Sequence, residues 1–132
     1  MKKHGFTLIE VLIAILLVGL AIASLLVANG SFTKANAAAT DLSTAEFLIE
    51  QIREQTVTTL FADLATEFNT SGFVSTSYPG YLQQTKVEYV IASDLRTVSP
   101  SLPTPFRRIT VEIRLNNKTI SSASWLRADI DN

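Results

Sequence analysis

From Phe6 to Val27 almost every position is apolar, and no charged residue lies between Glu10 and Lys34. As a helix rising about 1.5 Å per residue, that stretch spans roughly 33 Å, enough for a hydrocarbon core of about 30 Å. From Ser31 the pattern turns mixed but stays helix-forming. Leu42, Ala45, Ile49, Ile52, Thr56, Leu60 and Leu64 recur at steps of three or four, which predicts one apolar helix face laid on a small core. Phe47 and Leu48 fall outside that stripe and are expected on the surface, available to neighbouring molecules. Asn29-Gly30 is a turn signal and Ser43-Thr44-Ala45-Glu46 resembles a capping box. One long helix is nonetheless expected, because a glycine in a helix interior costs only about 1 kcal/mol.

After Gln55 β-branched residues accumulate, so the helix should weaken near Thr56, resume over Leu60–Phe68 and stop at Asn69-Thr70-Ser71-Gly72. Residues 71–80 are rich in Ser, Thr, Gly and Pro and predict a loop. Residues 99–105 carry three prolines and predict a stiff linker that cannot enter a sheet interior. Strands are expected at Thr85–Ala92, Phe106–Leu115 and Lys118–Arg127, the last two forming a hairpin across Asn116-Asn117. Alternation would turn Ile109, Val111, Ile113 and Leu115 onto the helix, and Thr110, Glu112 and Arg114 to water. The fold class is therefore α+β: a long amino-terminal helix, its first half membrane-spanning, packed on a small carboxy-terminal antiparallel sheet.

At 132 residues, with so much committed to one apolar helix, the chain has room for a single modest domain. Eleven basic and twelve acidic residues nearly cancel, which argues against a non-specific electrostatic hold on nucleic acid. Arg107-Arg108, near Arg96 and Phe106, is the one local basic patch, and its expected place is a solvated strand edge. With no cysteine there is no disulfide or thiol chemistry, and with a single histidine, His4, zinc and histidine catalysis are poorly supplied. The acidic residues lack a calcium-loop spacing, and Glu46, Glu50, Arg53 and Glu54 form a solvated helix face rather than a carboxylate pair. Neither a catalytic residue nor a metal site nor a cofactor is expected. Trp125 is expected as a core or sheet-edge anchor.

Lys2 and Lys3 precede the apolar run, which by the positive-inside rule puts the amino terminus in the cytoplasm and the rest of the chain across the membrane. An ordinary signal peptide is the competing explanation, since Ala21-Ile22-Ala23 and Ala35-Asn36-Ala37 resemble small-residue cleavage sites. Glu10 argues against it, because a carboxylate at the front of an apolar helix costs up to about 3 kcal/mol deep in the bilayer, and a mere signal gains nothing from it.

The segment Gly5-Phe6-Thr7-Leu8-Ile9-Glu10-Val11-Leu12-Ile13-Ala14 behind a short basic leader resembles the prepilin processing motif of type IV pilins and type II secretion pseudopilins. The resemblance implies that a prepilin peptidase cuts between Gly5 and Phe6, that the new amine of Phe6 is N-methylated, and that the helix is retained. It also implies that the Glu10 carboxylate neutralises the Phe6 amine of a neighbouring subunit during assembly. Two unit charges 4 Å apart at an effective dielectric near 20 attract by about 4 kcal/mol, comparable to the cost of holding either in lipid. Gly19 sits where many pilins carry a helix-loosening glycine, although the proline that often follows is absent; Gly19 and Ala23 also suit close helix packing.

The organisation so implied is a leader at 1–5, a transmembrane and assembly helix at 6–28, and an exported pilin-like α+β domain at 29–132. The implied function is that of a structural minor subunit, not an enzyme. Small size and the lack of the usual carboxy-terminal cysteine pair favour minor pilin or minor pseudopilin over major. Its partners would be the prepilin peptidase, other pilin or pseudopilin subunits and an inner-membrane assembly platform. Its place would be the inner membrane, single-pass, with the carboxy-terminal domain periplasmic or extracellular and incorporated into a filament. The alternative is a competence pilin or tip adhesin whose loops at 70–82 and 96–105 contact DNA or a surface.

Overall fold

The computed structural model describes residues 5–73, 77–99 and 103–130. The order is α1 (Leu8–Thr58), α2 (Leu64–Phe68), β1 (Ser71–Phe73), β2 (Tyr81–Ile91), β3 (Asp94–Val98), β4 (Phe106–Leu115) and β5 (Lys118–Ala128). This is the expected α+β plan: a long amino-terminal helix and an antiparallel sheet against which its later turns pack. Two compact units divide the chain, Met1–Thr40 and Asp41–Asn132.

In the first unit, α1 runs unbroken through Asn29-Gly30, and every described residue to Thr40 is exposed. The large apolar side chains of this stretch are exposed, Leu16, Leu25 and Phe32 by more than 60%. The helix is long and apolar enough to cross a membrane, and no part of its apolar window is buried within the chain. Ser24, Ser31, Thr33 and Thr40 each donate their hydroxyl to the carbonyl four residues back, at 2.8–3.1 Å. These four hydroxyls are thus satisfied by their own helix, a requirement wherever water is excluded.

In the second unit the sheet order is β1-β2-β4-β5, with β3 also on β2, and all pairings are antiparallel. The core joins Ala45, Leu48, Ile49 and Ile52 of α1 to Phe61, Leu64, Phe68, Tyr81 and Val87, and to Ile109, Val111 and Ile113 of β4. The alternation on β4 is as expected, with Leu115 partly buried. Asn116 and Asn117 both have positive φ, 50° and 66°, the two-residue geometry that matches strand twist. The register then slips between Ile113 and Arg114, so that Ile120 is an extra residue on β5.

Several sequence expectations are corrected. Leu48 is buried, because a helix face seated on a sheet is wide enough to take positions 45, 48, 49 and 52 together. Leu42 and Leu60 are exposed. Leu60 falls in the break after α1, so helical spacing no longer governs it, and Phe61 supplies the buried ring instead. The stretch Ser43–Glu46 is mid-helix and caps nothing. Residues 71–73 form β1 rather than loop; the rest of that loop at 74–76, and 100–102 of the proline linker, lie outside the described residues. The strand expected from Thr85, β2, begins at Tyr81, four residues early, at a turn where Gly80 has φ +86° and a Cβ would meet Leu115 at 3.3 Å. β3 was not expected at all; its five residues are all exposed, so burial leaves no alternating pattern to read.

The largest correction concerns Arg107. It stands on β4, paired on both sides by β2 and β5, and is 5% exposed. Its guanidinium lies 4.6 Å from the Phe61 ring centroid and 4.4 Å from that of Tyr89. It donates to the carbonyls of Phe61 at 2.5 Å and Ala62 at 3.3 Å, and to the Tyr89 hydroxyl. Arg108 is the neighbour that faces outward, bound to Glu88 at 3.4 Å and to the Arg96 carbonyl at 2.7 Å. Position 107 shares the parity of 109, 111 and 113, and that parity was the signal for burial.

Arg127, the register partner of Arg107, closes the end of α1. Thr58 and Thr59 hydroxyls both donate to the Gln55 carbonyl, which also accepts the Thr59 backbone N–H as a last helical bond. Arg127 then donates to the freed carbonyls of Thr56 at 2.5 Å and Val57 at 2.6 Å. A cation at the negative end of a helix dipole, absent from the last turn of α1 itself, is supplied from β5. Trp125 adds its indole N–H to the Thr56 hydroxyl at 3.1 Å, which makes it the anchor between β5 and α1.

Candidate functional site

The site expected from the sequence lies at the front of α1. Gly5, Phe6 and Thr7 precede the first helical residue, Leu8. Gly5 is exposed, and a Cβ there would meet nothing within 4 Å, so packing within the chain does not demand glycine at this position. Phe6 is 88% exposed. Leader residues 1–4, including Lys2, Lys3 and His4, lie outside the described residues.

Glu10 is in the first turn of α1. Its Oε2 accepts from the Thr7 backbone N–H and from the Thr7 hydroxyl, both at 2.8 Å. The Thr7 hydroxyl in turn lies 3.4 Å from the Glu10 backbone N–H, which donates to it. This is a reciprocal capping box: Thr7 satisfies a helix donor that has no partner within the helix, and the carboxylate satisfies the N–H that precedes the helix. An anion here also complements the positive end of the helix dipole. The four-residue signature Thr7-Leu8-Ile9-Glu10 was visible in the sequence, and Thr7 is the residue that reading for charge and hydropathy alone passes over.

The second sequence candidate, the basic pair, does not come together as a patch. Arg107 points into the core and Arg108 is ion-paired outward with Glu88. Glu88 is also held by Lys86 at 2.7 Å. The hydrogen bond from Lys86, followed by that from Arg108, holds the Glu88 carboxyl below the usual range, against the opposing effect of partial burial. On α1, Arg53 and Glu50 are 3.7 Å apart with both side chains more than half exposed, the expected solvated face.

Residues 1–27 match the family model described as the prokaryotic N-terminal methylation motif. No curated protein and no solved structure matches the chain. The matched segment holds Gly5, Phe6, Thr7, Glu10 and the exposed apolar run, and it leads into a long helix and an antiparallel sheet in a pilin-like arrangement. The chain therefore carries the prokaryotic N-terminal methylation motif, the hallmark of type IV pilin-like and pseudopilin subunits.

Proposed function

We propose that this protein is a structural minor subunit, a minor pilin or minor pseudopilin, of a type IV pilus or type II secretion filament. In this proposal a prepilin peptidase cuts between Gly5 and Phe6 and Phe6 is N-methylated. Residues 6–28 hold the chain in the inner membrane with its amino terminus cytoplasmic, and residues 29–132 are the exported domain. The observation that carries it is the front of α1: an apolar run to Val27 with no cover of its own, opened by a single carboxylate.

Such a helix needs lipid before assembly and other helices after it. Glu10 fits both conditions. In the single chain one of its oxygens is already held by Thr7, which lessens the cost of a carboxylate at the membrane boundary. The other oxygen, Oε1, makes no hydrogen bond among the described residues, and it is the natural acceptor for the Phe6 amine of a neighbouring subunit. The DNA-binding alternative loses its main support with Arg107 buried.

Mass spectrometry of protein purified from membranes should find a chain that starts at N-methylated Phe6. A start at Met1, or near Ser24 or Ala38, would overturn the processing scheme. Glu10→Ala should be cut and inserted normally yet enter filaments poorly; normal incorporation would remove the charge pair from the proposal.

A further inference from the structure

Between α1 and the start of β2 lies a cleft of about 380 Å³ among the described residues, and none of the residues lining it is charged. Phe47, Gln51 and Gln55, at steps of four, form one line of α1 along its wall, while Tyr78 and Gln83 face it from the other side. The Phe47 and Tyr78 rings stand 6.3 Å apart at 42°, an open angle, and Phe47 is 56% exposed. Gln83 is oriented by donating to the Thr85 hydroxyl at 3.0 Å, which leaves its carbonyl and one N–H for another partner. Gln51 and Gln55 are exposed and make no side-chain hydrogen bond among the described residues.

We infer that this cleft binds an uncharged saccharide. Three planar amides offer paired donors and acceptors suited to vicinal hydroxyls, and two aromatic faces suit the apolar C–H face of a pyranose ring. The absence of lysine and arginine from the lining disfavours phosphate-bearing ligands, nucleic acid included. An apolar helix of a neighbouring subunit is disfavoured too, since covering the cleft with one would leave three amides buried without partners. The volume is in the range of small-ligand sites, about 300–1,000 Å³. Its lining residues run from Phe47 to Gln83, so the site does not depend on how Phe6 or Glu10 is used.

The test is calorimetric titration of the full chain in an amine-oxide detergent, whose head carries no sugar, with maltotriose, cellotriose and chitotriose as probes. At least one should bind saturably, and the side-chain amide NMR signals of Gln51, Gln55 and Gln83 should move with it. Gln51→Leu, Gln55→Leu and Phe47→Ala change exposed positions and should each weaken binding by about tenfold, the equivalent of one lost hydrogen bond or stacking contact. Glu50→Gln, on the neighbouring solvated face, should leave it unchanged. No saturable binding of any of the three sugars, or binding by the three cleft variants as tight as the parent's, would overturn the inference. So would variants that bind sugar as the parent does but are blocked from entering filaments, which would make the cleft a contact between subunits.

Discussion

At the scale of single residues, two adjacent arginines have opposite fates. Arg107 puts its charge between two rings and satisfies the carbonyls of Phe61 and Ala62, where the chain turns from α1 to α2. Removing it leaves those acceptors and the Tyr89 hydroxyl without their donor in a packed region. Arg107→Ala should therefore lower the stability of the folded domain by about 3 kcal/mol, measured by denaturant unfolding in detergent. Arg108→Ala, on the outer face, should cost less than about 1 kcal/mol in the same assay. Glu88 gives a pH dependence with a defined sign. Its carboxyl is held below the usual range in the folded state, so its contribution is present above the unfolded value, about 4.3, and is lost as the pH falls through the folded value. Glu88→Gln should be less stable than the parent at pH 7, and the gap should close in acid, below the folded carboxyl's own pKa. A gap that does not narrow as the pH falls would show that Glu88 acts through something other than its charge.

At the scale of elements, the ends matter more than the middles. α1 begins in the Thr7/Glu10 capping box and ends where Thr58, Thr59 and Arg127 take its last carbonyls. Between these ends its early turns are exposed among the described residues, while its later turns are held by the sheet. The β4–β5 hairpin depends on two residues with positive φ. Asn117→Gly should be neutral or slightly stabilising, since glycine adopts that conformation freely. Asn117→Val places a β-branched side chain in the left-handed region and should cost about 1–3 kcal/mol, read as a lowered denaturant midpoint. Equal midpoints for the two variants would mean that the turn does not set the hairpin.

At the scale of the whole molecule, the division at Thr40 separates two ways of being stable. Among the described residues every buried core position lies from Ala45 onward, so the core of the carboxy-terminal unit draws on none of the apolar run. A chain beginning at residue 30 should be monomeric in detergent-free buffer with its β-sheet circular dichroism retained, whereas the full chain should require detergent or lipid. Size-exclusion chromatography of both decides it; aggregation of the shortened chain would show that the front of α1 supports the fold. This separation suits the proposed role, in which one half of a subunit exchanges lipid for neighbouring helices while the other half keeps its shape.

The apolar run, the place of Glu10 at its front and the alternation of β4 were all determined by the sequence alone. Each rests on a local rule: a helix with no packing partner must match its surroundings at every position, and a strand with one wet face must alternate. The hairpin was equally legible, because two consecutive asparagines tolerate the positive φ that its turn requires. Tertiary structure decided what local rules leave open. Leu48 is buried because a sheet covers a wide face of α1. β3 exists by pairing with the end of β2, not by any pattern of its own. Arg107 is buried because two aromatic rings and two carbonyls, brought from as far as 46 residues away along the chain, supply what water would otherwise provide. A cation in a strand is legible as buried only when its partners are known, and here those partners meet it only after the chain has folded.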